Sequence, residues 1–533
     1  NYSWDRKYQS NQYRGNTTVG EAFKRNVNQY DWTLDNILNY KRVLAEKHSV
    51  DLTLVAGRRE ITNEQTISQG VDYPTLLLGY NDLSLGTIQT INSNAWDESY
   101  LYQMARLNYE FNYKYLLTAT IRRDGFSGFA ENEKTALFPS IGLGWILSEE
   151  TFIPESINNL KLRASYGTNG NLVPRYSSLA RLNLFPAYVN GDGGSTLFGQ
   201  IVTSLSNSNL TWETTTGLNL GVDFSVFNSR LAGSIDYYST TTNDLIFAVN
   251  IPEVTGFNQI VSNVGEVANQ GIELMLNADV IRNENFTWNI NFNIASNRNE
   301  IKSLIGLDAD NDGIEDDLVA SGLFIGESIN SVFTYESAGI IQVGEEDIPT
   351  GFAVGTHRII DQNNDEFIDP NDRVIIGREE PAYNFGILNK FNYKNFEFRF
   401  FINSIQGGND GYLGLNEPGN QGGIVSNAFV EYDFWSPSNP DATYKGILDD
   451  AAINFVNYQA RSFVRLQDVT ISYQFDNKLL NNIGLRNAKL FLSGKNLLTI
   501  TDWVGWDPET GAGLNPNGRP VLRGYSLGLD FSF

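Results

Sequence analysis

The chain has 533 residues, a net charge of −24 at pH 7, no cysteine, and 19% charged against 13% aromatic residues. The absent cysteines exclude disulfides and thiolate metal sites, and the acidic balance without a concentrated basic patch argues against nucleic-acid partners. No stretch of about 18 apolar residues occurs, so no membrane helix is available, which leaves a soluble all-β protein or a membrane β-barrel.

The chain opens at Asn1 with no methionine, charged n-region or apolar h-region, which predicts a C-terminal portion of something longer. From there the organising signal is period-two alternation. It predicts strands over 31–40, 47–57, 101–112, 114–123, 137–147 and 159–167. In the next, Leu218, Leu220, Val222, Phe224 and Val226 alternate with Asn219, Gly221, Asp223 and Ser225. Further strands are predicted over 230–241 and 264–280, and then Phe286, Trp288, Ile290, Phe292 and Ile294 alternate with Thr287 and three asparagines. Segments 329–340, 383–394, 395–405, 461–475 and 486–499 follow, and the last runs from Tyr525 through Leu527, Leu529 and Phe531 to Phe533. The total is about sixteen.

Strands of soluble proteins average about five or six residues, whereas these segments run to about ten, the length a tilted membrane-spanning strand needs. Asn228-Ser229 and Lys394-Asn395 read as tight turns. Long Gly-, Asn- and Asp-rich stretches at 58–98, 169–209, 301–328, 341–381 and 406–458 read as loops. Short turns on one side and long loops on the other are the outer-membrane pattern. The expected fold is a large antiparallel transmembrane β-barrel, read as one domain over 1–533.

Two acidic stretches have the spacing of calcium loops, which wrap hard oxygen ligands around one point. The first is Asp361, Asn363, Asp365, Phe367 (by its carbonyl), Asp369 and Asp372, with Glu366 where glycine is usual and Asp372 in place of the bidentate glutamate. The second holds Asp308, Asp310, Asp312, Gly313, Asp316 and Asp317, with Val319 at its twelfth position. In both the alternative is an acidic turn without an ion. Tyr412, Tyr432, Trp435, Trp503 and Trp506 lie in or beside late loops, where rings could stack on sugar faces or serve as interfacial and packing aromatics. Only His48 and His357 are available as imidazoles, and no GxSxG, Walker or GxGxxG motif occurs. No enzyme is expected.

Six passages go beyond fold class: LKLRASYGTNGN (160–171), TNDLIFAVNIPEVTGFNQIVSNVGEVANQGIELML (242–276), FTWNINFNIASNRNEI (286–301), GTHRIIDQNNDEFIDPNDRVIIGREEPAYNFGI (355–387), SFVRLQDVTISYQF (462–475) and LFLSGKNLLTITDWVGWDPE (490–509). In order and spacing they resemble the SusC-type (RagA-type) TonB-dependent transporters of Bacteroidetes outer membranes. The resemblance implies a barrel of 22 strands around a plugged lumen, with the plug and first strands upstream of Asn1. It also implies a SusD-type lipoprotein lid, coupling to the TonB complex, an oligosaccharide or peptide cargo, and in some members a second barrel. Phe533 would be the terminal signal read at insertion, on a strand that pairs with a first strand outside this chain. A passive channel and a surface adhesion or secretion-associated scaffold stay open as alternatives.

Overall fold

The computed structural model describes residues 2–9, 20–74, 78–183, 187–188, 197–309, 311–409, 411–412, 433–446, 451, 453, 455–476, 480, 484–503, 507–510 and 521–533. Its frame is a 16-stranded sheet. The strands are β1 (Tyr2–Gln9), β2 (Glu21–Leu44), β3 (His48–Val71), β4 (Ile88–Phe111), β5 (Tyr115–Phe126), β6 (Thr135–Ile146), β7 (Ile157–Asn171) and β8 (Glu213–Val226). They continue as β9 (Leu231–Asn243), β10 (Glu266–Arg282), β11 (Phe286–Ser303), β12 (Tyr383–Tyr393), β13 (Phe396–Gln406), β14 (Phe463–Gln474), β15 (Asn487–Thr501) and β16 (Gly524–Ser532). Each strand lies beside its neighbours in chain order, with β1 and β16 at the two ends.

Connections alternate in length. Residues 45–47, 112–114, 227–230, 283–285 and 394–395 make tight turns, while 304–382 and 407–462 make long segments. Turns fall at residues 228–229 and 394–395 as expected, and they use left-handed backbone: φ is 57° at Asn228, 60° at Ser229 and 51° at Lys394.

One face of the sheet is apolar and uncovered. On β15 and β16, Leu490 sits opposite Leu529 and Leu492 opposite Leu527, and all four remain 40–75% exposed. Contiguous exposed apolar rows of this kind are the lipid-facing band of a membrane sheet. The opposite face carries polar pairs such as Lys489 with Asp530 and Ser493 with Ser526.

Three expectations need correction. Segment 329–340 is not a strand of the sheet. It forms two short strands, Ser331–Tyr335 and Ser337–Ile340, that pair with Arg373–Arg378 and His357–Ile359 inside the long segment after β11. Segment 58–98 is not a loop, because β3 runs on to Val71 and β4 begins at Ile88, with unbroken pairing from His48↔Phe111 to Val71↔Ile88. A strand of 24 residues needs only about ten to cross a bilayer. In the remainder polar residues occupy both faces, Arg58, Thr62 and Glu64 exposed on one and Asn63 buried on the other, so its apolar alternation fades while its ladder continues. β1 lies ahead of the first predicted strand.

The chain divides into two compact units, one of residues 1–143, 165–216 and 242–264, the other of 144–164, 217–241 and 265–533. In the first, Phe126, Phe129, Phe138, Val173, Leu210 and Trp212 form a buried cluster, with Ile246 and Val261 packed against it. In the second, Arg163 on β7 bridges Asp223 (2.8 and 2.9 Å) and Asp236 (3.0 and 3.1 Å). A β-carbon at Gly221 would come within 2.6 Å of that guanidinium, so glycine makes the room.

Candidate functional site

The first unit carries a wall of paired side chains on the polar face of β2 to β5. Asp35, Gly57, Tyr102 and Asp124 stand in one row across these four strands. Gly57 has no side chain, so the Tyr102 ring reaches over it and the phenol donates to Asp35. In the adjacent row Arg59 stands opposite Tyr100, and Tyr100 opposite Phe126.

Three aromatic rings on β4 each meet a guanidinium. Arg175 lies 3.5 Å from the Trp96 centroid, Arg59 5.8 Å from Tyr100 and Arg122 5.1 Å from Tyr102. Each guanidinium is also bound to a carboxylate. Arg59 makes a two-pronged contact with Asp31 (2.9 and 2.6 Å), Arg122 Nε donates to both Asp124 oxygens (2.9 and 2.7 Å), and Arg175 Nε donates to Glu98 (2.6 Å). The Tyr100 hydroxyl donates to the other Glu98 oxygen at 2.9 Å, and its ring stacks on Phe126 at 4.8 Å. The buried cluster thus fixes the wall from one side, and charge-assisted hydrogen bonds fix it from the other. A cavity of about 810 Å³ opens along Trp96, Glu98, Arg175 and Tyr176, and one of about 520 Å³ along Arg59, Tyr102, Arg122 and Trp212. Tyr100 and Leu172 line both.

The sequence alone does not reveal this wall. Its signal is the even-numbered run Trp96, Glu98, Tyr100, Tyr102, but half of it falls in 58–98, which lacks apolar alternation.

In the second unit the predicted calcium loop is a hydrogen-bonded turn. Asp361 accepts from the amides of Asn364 (2.7 Å), Asp365 (3.3 Å) and Glu366 (2.9 Å), with Glu366 at φ 69°. Asn363 and Asp365 accept from amides two residues on. Asp372 is fully buried, accepts from Gln362 and Asp369, and closes a capping box with Asp369 over Pro370–Asp372. Phe367 is 71% exposed. In the other acidic loop Asp308 accepts from Asp312 and Gly313, Asp312 from Ile314 and Asp316 from Ala309; Asp310 lies outside the described residues. Among the described residues no three acidic or imidazole side chains gather as a metal site. In this arrangement backbone amides orient the carboxylates, each of which keeps lone pairs beyond the amides it accepts.

Of the predicted ring platform, Trp435 donates to Gln342 Oε1 (3.0 Å) and packs on Gly355, and Trp503 is 5% exposed, so both hold their loops. Tyr412 lies in a two-residue strand whose backbone pairs with Tyr458–Gln459. Tyr432 and Trp506 lie outside the described residues. Phe533 follows β16, 77% exposed and edge-on to Phe531.

Glu380 fastens the segment after β11. Asn299 and Asn330 each donate to it at 2.7 Å and Ser328 at 2.8 Å. Burial alone would raise its pKa, but these donors outweigh burial and hold the carboxyl below its usual range.

Residues 1–335 match the family model described as TonB dependent receptor-like, beta-barrel. The chain belongs to the TonB-dependent receptor β-barrel family. It is 32% identical to the TonB-dependent receptor P3 of Formosa agariphila over 96% of this chain and 53% of that relative. It is 28% identical to the TonB-dependent receptor SusC of Bacteroides thetaiotaomicron over 97% of this chain and 52% of that one. The barrel of the RagAB peptide transporter superposes with a TM-score of 0.78 at 23% identity, covering 99% of this chain and 58% of that one. The chain thus spans about half the length of the curated relatives it matches. The family is one of outer-membrane β-barrel receptors and transporters rather than enzymes, and the lipid-facing rows of β15 and β16 fit that location.

Proposed function

We propose that this receptor barrel is the wall of an active importer that takes up a large nutrient, an oligosaccharide or peptide. It works with a SusD-type lipoprotein lid over its long loops and draws energy through TonB. The observation that carries the reading is the paired aromatic and guanidinium wall of β2 to β5, on the polar face of a sheet whose other face is apolar. A structural strut needs no cavities of about 810 and 520 Å³ along it. Calcium bracing the 361–372 and 308–319 loops belongs to the same proposal, supported by their oxygen spacing.

The test uses the full-length protein in its native outer membrane with its lid partner. Uptake of labelled oligosaccharides and peptides is measured with and without a protonophore. Energy-dependent uptake of at least one cargo is expected. Uptake that persists unchanged after the inner-membrane gradient collapses would instead identify a passive channel.

A further inference from the structure

We infer that the apolar face of β3 to β5 carries a site for the phosphate of a lipid headgroup, built around Arg123 and Arg58.

Alternation decides which way these arginines point. Arg122 binds Asp124 on the polar face, so Arg123, the next residue of the same strand, stands on the opposite face. Register then sets its surroundings. Gln103 lies directly opposite Arg123, and in the next row Arg58 lies between Leu34 and Leu101. On the other side of Arg123 comes the row of Leu38, Leu54, Ala105 and Ile121. The leucines and Ile121 are exposed, as a face turned to lipid requires. Arg58, Gln103 and Arg123 are thus a polar island in an apolar face.

Such an island needs partners that hydrocarbon lacks, and the protein supplies few. Arg123 donates to the Thr135 hydroxyl at 3.3 Å, and no carboxylate pairs with it among the described residues. Arg58 spends one nitrogen on Glu60. The Gln103 side chain meets no partner among the described residues.

Height along the strands identifies what is within reach. The tight turns at 45–47 and 112–114 close one end of these strands, and tight turns mark the periplasmic side. From His48 beside that turn to Arg58 is five same-face steps, about 33 Å along a strand. At a tilt of about 45° this is about 23 Å of height, close to the apolar band of about 25 Å. Arg58 therefore stands at the outer margin of the band, and exposed Trp32 and Tyr30 continue the face beyond it, as interfacial aromatics do. Lipid headgroups lie at that level. Arg58 and Arg123 are two strand spacings of about 4.8 Å and one same-face step apart. A phosphate seated over Gln103 reaches both guanidiniums and supplies the charge and the paired acceptor oxygens that planar forks match.

The full-length protein, extracted from its outer membrane and exchanged into detergent, is titrated by native mass spectrometry with monophosphoryl lipid A and with the same lipid after phosphatase treatment. The phosphorylated lipid should bind about tenfold more tightly, and Arg123→Gln should remove most of that difference. Arg123→Lys keeps the charge without the fork and should lose less. Arg106→Gln, opposite Thr120 on the polar face, should change nothing. Equal binding of the two lipids by the parent protein overturns the inference, and that comparison stands even where Arg123→Gln fails to fold. An undiminished preference in folded Arg123→Gln overturns it too. Inorganic phosphate should not compete; displacement of the lipid by millimolar phosphate would replace the headgroup site with one for a free anion.

Discussion

Tyr102 on β4 lies directly opposite Gly57 on β3, and its ring occupies the space where a β-carbon at position 57 would sit. That overlap fixes the ring and carries its hydroxyl across a whole strand to Asp35. Gly57→Ala should therefore push the ring off the wall. Overpacking of this kind costs about 1–3 kcal/mol, so a lower unfolding temperature and weaker ligand binding are expected. Tyr102→Phe keeps the ring and loses only the hydrogen bond, so about 1 kcal/mol is expected. Equal stability of Gly57→Ala and the parent would show that Tyr102 has another place to go.

Arg465 on β14 is 2% exposed and holds the turn after β15. It donates to Asp507 at 2.7 Å, Glu509 at 2.6 Å and Thr499 at 3.1 Å, while Arg461 reaches the Pro508 carbonyl at 2.8 Å. Removing one partner of a buried pair costs about 3–5 kcal/mol, because the other charge is left behind. Arg465→Met should lose that much in chemical unfolding and loosen the turn at 507–510. Arg465→Met with Asp507→Asn should lose less than the sum of the single changes. Strict additivity would rule out direct coupling.

The Glu380 carboxyl is held below its usual value of 4.5 by Asn299, Asn330 and Ser328. A depressed carboxyl stabilises the fold above its unfolded pKa, and that contribution is lost as pH falls through the folded one. Protection of the Ser328–Ser331 amides from hydrogen exchange, relative to their intrinsic rate at each pH, should thus be high at neutral pH and fall as pH drops below about 4.5. In Glu380→Gln the acid-dependent part should vanish. The same acid profile in both proteins would assign the effect to other carboxylates.

Calcium in the 361–372 loop would stabilise by mass action, about 2.7 kcal/mol at a concentration hundredfold above Kd. Millimolar calcium should raise the unfolding temperature, chelator should reverse the rise, and Asp361→Asn should abolish it. An unfolding temperature indifferent to calcium and chelator removes the ion from the proposal.

Much of the sheet is legible because alternation is local. Tyr525 to Phe533 or Leu218 to Val226 announces its apolar face without reference to any other segment. The signal misleads where environment and ladder part company. Residues 58–71 are strand by hydrogen bonding and loop by polarity, since polar residues such as Thr62 and Asn63 stand on both faces. Residues 329–340 alternate enough to look like a spanning strand, yet their partners lie within their own long segment. The acidic loops are legible as spacing, but which oxygens accept from which amides depends on a turn at Glu366 with φ of 69°.

The motif passages around Arg465 and Asp507 can be recognised separately; nothing in either says that one side chain closes on the other. The order of the strands, their two faces and the family follow from the chain alone, because alternation and motif spacing are properties of neighbours in sequence. The binding wall does not. Gly57, Tyr102, Asp35 and Asp124 become one row only through register, which a single-residue slip would turn to the opposite face. Register is decided by the pairing of whole strands, so only the tertiary structure brings these four residues together.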